Sequence, residues 1–321
     1  MPGITLVVIE HDRGVISPAT FEALTAARSL NSDIHALSIG ESADPLAAEL
    51  APYGVASVHQ AHHEVLADYG PEAWGEVVAH AVTALSPAVV MATGTDRGNE
   101  VMAQAAARLD LPFSANCTEF RPNDTFELTR VRWGGSLLED AILTADIKLV
   151  TVAHHAVEPS SAPTTGTAAP TPLSVQLDPS FIRSVVRGRV EREAGVTLST
   201  AAVVVGGGRG VGSADGFAPL DELAAELGGI VGCSRAVTNN GWRSHTAQVG
   251  QTGTRIAPDV YFACGISGAI QHWVGAMASK NIIAINIDKD ANMVAKAGYA
   301  VIGDLHQVVP AITEEIRRRR S

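Results

Sequence analysis

Ala201-Ala-Val-Val-Val-Gly-Gly-Gly-Arg-Gly-Val-Gly212 sets a short apolar run directly against a glycine-dense turn. Ala201 to Val205 predicts a buried strand, since β-branched side chains without polar alternation suit a strand covered on both faces. A helical pattern from about Pro219 to Leu227 follows, so this stretch opens a β-α layer with a parallel sheet. The rhythm continues with a strand over Val260–Cys264, a helix over Gly268–Ala278 and a strand over Ile282–Ile285. Another strand over Tyr299–Ile302 and a last helix over Leu305–Arg318 close the series. Gly or small polar residues stand at several strand ends, where doubly wound sheets bind ligands.

Working back toward Met1, the same alternation recurs. Thr5–Glu10, Asp33–Ile39, Val55–His59 and Ala88–Thr93 read as strands, and Pro18–Leu30, Pro45–Tyr53 and Glu72–Leu85 as helices. After Leu111 the pattern changes: Phe126–Trp133 and Ile147–Val152 read as strands with few helical signals between them, an antiparallel edge. Glu158 to Pro172 is dense in Pro, Ser, Thr and Gly and reads as a linker or long loop. The expected fold class is α/β, two doubly wound domains with mostly parallel sheets, residues 1–190 and 191–321. The terminal Arg317–Arg320 reads as a solvated tail that complements a helix C-terminus.

Bulk properties narrow the function. A net charge of -11 argues against a nucleic-acid binder, which needs a basic face to neutralise phosphates. Cys117, Cys233 and Cys264 show no CxxC or zinc spacing and read as buried free thiols in a reducing compartment. Met1–Glu10 lacks the basic flank of a signal peptide, and no apolar run reaches the roughly 18 residues that span a bilayer. The expectation is a cytoplasmic chain without stable membrane insertion.

Four stretches carry chemistry. Gly206–Ser213 matches neither G-x-G-x-x-G nor a P-loop. It can bring backbone N–H groups and Arg209 near a phosphate, and equally suits a structural tight turn. Ser234 and Arg235 follow a strand end, and Arg235 there is either a fixed charge for an anionic cofactor or a surface ion pair. Gln248-Val-Gly-Gln-Thr-Gly253 presents Gln251 and Thr252 between glycines, able to hydrogen-bond the edge of a flat polar ring. In Gly265-Ile-Ser-Gly-Ala-Ile-Gln-His272, Ser267 is placed as an N-cap with free N–H groups beyond it, suited to a pyrophosphate. His272 lies a turn further on, where a satisfied core histidine is the plainer reading. Asn286 ends a strand, and Asp304 is placed either to cap the next helix or to hold a ribose hydroxyl.

Gly-Gly-Arg209-Gly, Ser234-Arg235, Gln248–Gly253, Ser267–His272, Ala284-Ile-Asn286 and Asp304-Leu305 occur in one order across about a hundred residues. From Gly206 to Pro310 the chain closely resembles the FAD-binding domain of electron-transfer flavoprotein α subunits. That resemblance implies a Rossmann-like C-terminal domain with FAD held by Arg209, Ser234, Arg235, Val249, Gly250, Gln251, Thr252, Ser267, Gly268, Ala269, Ile270, Gln271, His272, Asn286, Asp304 and Leu305. It further implies that Arg209, Ser234 and the Ser267–His272 segment hold the phosphates and flavin edge. Thr252 would bond flavin N5 with Gln251 beside it, and Arg235 would favour the negatively charged one-electron form. His272 would meet the N1/O2 side, and Asn286, Asp304 and Leu305 the adenosine end. Arg235, Thr252 and His272 are thus the residues that tune the flavin.

The partners implied are a β subunit, carrying a second nucleotide (AMP or FAD) and faced by the 158–172 loop, flavin dehydrogenases such as those of acyl-CoA, and a quinone-linked oxidoreductase. An electron-bifurcating relative would instead oxidise NADH, with a second flavin in the β subunit. A NAD-binding enzyme resembling deoxyhypusine synthase-like domains is a further alternative, but Lys280, Lys289 and Lys296 all fall outside the motifs. The N-terminal half resembles the family's first domain more loosely. Ala153-His154-His155 stands where members usually carry Arg-Pro, and Trp133-Gly-Gly-Ser136 replaces Tyr-Ala-Gly-Asn, which leaves the partner's identity open.

Overall fold

A computed structural model describes residues 3–123, 125–181, 183–188 and 196–320. The chain divides into two compact units, Met1–Trp133 with Leu137–Glu191, and Gly134–Ser136 with Arg192–Ser321.

The first unit holds strands β1 (Ile4–Val8), β2 (His11–Asp12), β3 (Val15–Ile16), β4 (Asp33–Ile39), β5 (Val55–Ala61) and β6 (Val89–Gly94). They are followed by β7 (Phe113–Pro122), β8 (Phe126–Arg132), β9 (Leu137–Ile142), β10 (Lys148–Ala153) and β11 (Ala169–Leu173). All but the small β2–β3 hairpin form one sheet in the order β11-β5-β4-β1-β6-β10-β7-β8-β9. Its strands are parallel as far as β7, and β7, β8 and β9 form an antiparallel edge. The two-residue period divides the sheet's side chains between two cores. Val7, Val89, Met91 and Val150 pack with Ala23, Leu24 and Ala27 of helix α1 (Pro18–Ala27). Leu6, Val8, Val90 and Leu149 pack on the opposite face with Val77 and Val78 of α3 (Pro71–Leu85) and Met102 of α4 (Asp96–Leu109). Between β4 and β5 lies the one-turn helix α2 (Ala47–Leu50).

Two expectations are corrected by the first unit, which also contains one helix that was not expected. The helix expected over Pro45–Tyr53 is broken into a 3-10 turn, α2 and a second 3-10 turn, because Pro45 and Pro52 withhold backbone donors. Helix α4, capped where the Thr95 hydroxyl accepts from Gly98 N at 3.0 Å, has no counterpart among the expected elements. The Glu158–Pro172 stretch is not a free linker. Ala162 N, Gly166 N and Ala168 N donate to Pro52 O, Ala51 O and Val55 O, each at 2.8 Å, and β11 then pairs with β5 from Ala169 opposite Ser57 to Leu173 opposite Ala61. Its composition cannot build a core, but an edge strand needs backbone pairing on one side only, which tolerates Pro170 and Pro172.

The second unit is a parallel five-stranded sheet in the order β13-β12-β14-β15-β16. Its strands are β12 (Val203–Gly207), β13 (Ile230–Cys233), β14 (Val260–Cys264), β15 (Asn281–Asn286) and β16 (Tyr299–Ile302). Val205, Phe262, Cys264 and Ile285 face helices α5 (Ala218–Glu226) and α9 (Leu305–Arg320). Val204, Tyr261, Ala263 and Ala284 form the other face with Ile266 and Met293. The short helices α6 (Arg235–Asn239), α7 (Ile270–Ala276) and α8 (Asn292–Lys296) follow strand ends. The C-terminal arginines are exposed and stand in the last turn of α9, as a solvated segment that complements a helix C-terminus would, but they are helical and ion-paired rather than a loose tail. Arg317 pairs with Glu222 at 2.8 Å and Glu226 at 2.6 Å, and Arg318 and Arg319 pair with Glu315. All three cysteines are buried and free, and burial pushes Cys117 and Cys264 up to about 12 and Cys233 to about 11, so they stay as thiols. No helix among the described residues is long and apolar enough to cross a membrane.

Candidate functional site

In the second unit the chain leaves β12 for β13 on one side and returns to β14 on the other, so the crevice beyond β12 and β14 is a topological switch point. Two strand-end loops are zipped together there. Gly208 N donates to Cys264 O at 2.8 Å and Gly210 N to Gly265 O at 3.1 Å. A Cβ at Gly208 would stand 2.2 Å from Gly265 O, so only glycine permits this approach. The glycine-dense turn is therefore built for contact between backbones as well as for a ligand.

A cleft of about 570 Å³ opens beyond these loops. Arg209, Ser234 and Arg235 reach it from the ends of β12 and β13. Ser267, Gly268, Ala269, Gln271 and His272 line it after β14, and Asn286 after β15. Neither guanidinium makes an ion pair or side-chain hydrogen bond among the described residues. Asp288, the one carboxylate on the cleft among the described residues, accepts Asp290 N at 3.0 Å.

His272 is buried, and Tyr261 Oη lies 2.8 Å from its Nε2. Burial drives its pKa down to about 4 against a smaller opposing pull from the Val249 backbone, so the ring is neutral at physiological pH. Burial also raises the ionisation of wholly buried Tyr261 well above its usual range, leaving a protonated hydroxyl. Nδ1 of His272 is buried without a hydrogen bond of good geometry among the described residues.

Ser267 is not the N-cap. Gly268 turns the chain at φ 81°, so α7 begins at Ile270 behind Ala269, and the Ser267 hydroxyl is left to the cleft. Val249, Gly250, Gln251, Thr252, Ile270, Asp304 and Leu305 do not line the cleft. The 249–252 loop is pinned beside it: Val249 N donates to Cys233 O at 2.8 Å and Gln251 N to Gln271 O at 2.7 Å. Thr238 Oγ1 donates to Gln248 Oε1 at 2.7 Å, and Gln248 Nε2 donates to Thr252 Oγ1 at 2.9 Å. Asp304 caps α9, its Oδ1 accepting His306 N at 2.9 Å, and Leu305 is buried in the core. Asn286 holds two strand ends, donating to Ile266 O at 3.0 Å and accepting Asp288 N at 3.1 Å. Ile287, Asp288 and Ala291 line the cleft and were missed. The signal available was Ile287, an apolar residue just past a strand end, which is 77% exposed.

Free guanidinium groups, small hydroxyls and a buried imidazole at the switch point of a parallel sheet define a doubly wound protein built for a phosphate-bearing nucleotide. Residues 5–178 match the electron transfer flavoprotein domain, and residues 197–277 match the electron transfer flavoprotein FAD-binding domain. The electron transfer flavoprotein subunit alpha of Bacillus subtilis is 34% identical over 317 residues, covering 98% of this chain and 97% of its own. A probable mitochondrial electron transfer flavoprotein subunit alpha of Caenorhabditis elegans is 36% identical over 311 residues, covering 96% and 92%. That of Mycobacterium leprae is 32% identical over 317 residues, covering 98% of each. This chain belongs to the electron transfer flavoprotein α-subunit family, and its cofactor is FAD. The cleft fits that group, with two cations that engage no carboxylate among the described residues available to a pyrophosphate, and a volume within the roughly 300–1,000 Å³ of small-molecule sites.

Proposed function

We propose that this chain is the FAD-carrying half of an αβ heterodimer that accepts electrons from flavin dehydrogenases, those of acyl-CoA among them, and delivers them to a quinone-linked oxidoreductase. It acts as a carrier, with residues 1–190 as one domain and residues 191–321 as the flavin domain. The observation that carries the reading is the pair Arg209 and Arg235, two permanent charges at a glycine-lined switch point with no carboxylate engaged to either among the described residues.

In this reading Arg209 and Ser234 hold the phosphates, and the Ser267–His272 segment holds the phosphates and flavin edge. Asn286, Asp304 and Leu305 stand toward the adenosine end. Bound FAD supplies one- and two-electron chemistry that no side chain offers. Arg235 keeps its charge at any working pH and stabilises added negative charge on the ring. Thr252 receives its hydrogen bond from Gln248, so its own O–H is left to donate toward N5, with Gln251 beside it. His272, neutral and tied to Tyr261, directs a ring nitrogen without adding charge.

Co-expression with the β subunit, denaturing release of the cofactor and chromatography test the proposal. One FAD per heterodimer bound to this chain is expected. Recovery of FMN, of NAD or of no flavin would sink it.

A further inference from the structure

Helix α1 of the first unit carries Glu22, whose carboxylate is buried, at 5% exposure for the residue. Burying a carboxylate is costly unless a positive charge accompanies it. Among the described residues no Lys or Arg pairs with Glu22. Its partners come from the turn after β10, where His155 N donates to Oε2 at 2.7 Å, His155 Nδ1 lies 3.5 Å from Oε1 and His154 Nε2 lies 3.9 Å from Oε1. His155 holds a left-handed backbone, φ 62°, and its Nε2 is buried with no hydrogen bond among the described residues. The two imidazoles lie with ring centres 3.7 Å apart and planes tilted by 41°. One ligand atom from each of Glu22, His154 and His155 falls within 4.8 Å of the other two.

We propose that Glu22, His154 and His155 bind a divalent transition metal of the zinc class. Two imidazole nitrogens and one carboxylate oxygen are the donor set of three-ligand zinc sites, which leave a fourth position for water. Bonds of roughly 2.0–2.2 Å to such an ion place its ligands about 3.3–3.6 Å apart, close to the separations from Glu22 Oε1. His154 and His155, partly exposed at 27% and 13%, give the ion a path in and a place for water. The ion supplies the charge that the buried carboxylate lacks and clasps the end of β10 to α1. The mixed nitrogen and oxygen donors and their low number disfavour Ca²⁺, which takes six to eight oxygens.

The FAD-loaded heterodimer, stripped with chelator and dialysed, is titrated with Zn²⁺ by calorimetry, with Ca²⁺ as the control. One Zn²⁺ site per α chain is expected, abolished in His154→Ala, weakened at least about tenfold in Glu22→Gln, and without a Ca²⁺ counterpart. Zn²⁺ should also raise the thermal midpoint of the wild type and leave that of His154→Ala unchanged. His155→Gln serves as a further variant should Glu22→Gln fail to fold, with flavin content as the check on folding. Equal Zn²⁺ binding by wild type and variants, or none by the wild type, overturns the proposal. A wild type that gains no stability from Zn²⁺ but gains it from acid, through imidazolium beside Glu22, overturns it too.

Discussion

Burial keeps the His272 imidazole neutral to about pH 4, whereas in an unfolded chain it protonates near 6.5. The folded state therefore binds fewer protons between those values. The stability held in the neutral ring is complete above about pH 6.5 and falls as the pH drops toward 4, by about 3 kcal/mol. Urea unfolding across this range should show that loss, and His272→Gln should flatten it while the carboxylate contributions remain. An unchanged slope in the variant would mean that His272 is solvated. Arg235 acts through charge instead. Arg235→Ala should lower the flavin midpoint potential by tens of millivolts, at about 40 mV per kcal/mol for one electron. Thr252→Val removes a hydrogen bond but no charge, so its shift should be smaller and insensitive to salt. Redox titration at matched FAD loading separates the two, and a wild-type potential in Arg235→Ala would refute the electrostatic role.

The elements show why some of this was legible and some was not. β4, β14 and β16 were readable to the residue because short apolar or alternating runs bounded by turn residues leave the chain little choice. Arg209, Ser234 and the Ser267–His272 segment, all but Ile270 of which line the cleft, could be singled out because strand-end loops of parallel sheets are where ligands lie. Ser267 was misread as a cap because the left-handed Gly268 turn that delays α7 depends on Met293 packing against it, 2.3 Å from where a Cβ would stand. Local sequence carries no trace of that contact. Residues 158–172 misled for a related reason, since composition reports on core building and not on backbone pairing. Limited proteolysis should accordingly spare Gly166–Leu173 in the folded protein. Early cleavage between them would show that β11 is not stably paired with β5.

For the whole molecule, the antiparallel edge of the first unit is the exposed liability. Among the described residues β9 is paired on one side, and Leu137, Leu138 and Ile142 on it are more than half exposed, as is nearby Trp133. An edge of this kind recruits other strands. Expressed without its β subunit, the chain should self-associate, and Leu138→Lys should reduce this in sedimentation without loss of FAD. A monodisperse wild-type monomer would count against an edge that needs cover. The opposite edge of the same sheet has another consequence. β5 acquires its outer neighbour from residues 169–173, more than a hundred positions later in the chain, after β6 to β10 have been made. During synthesis β5 is therefore an open edge for most of the time the first unit is emerging from the ribosome. The nascent chain passes through an interval in which both borders of the sheet can pair with a stranger, and it closes one of them only as its prolines arrive.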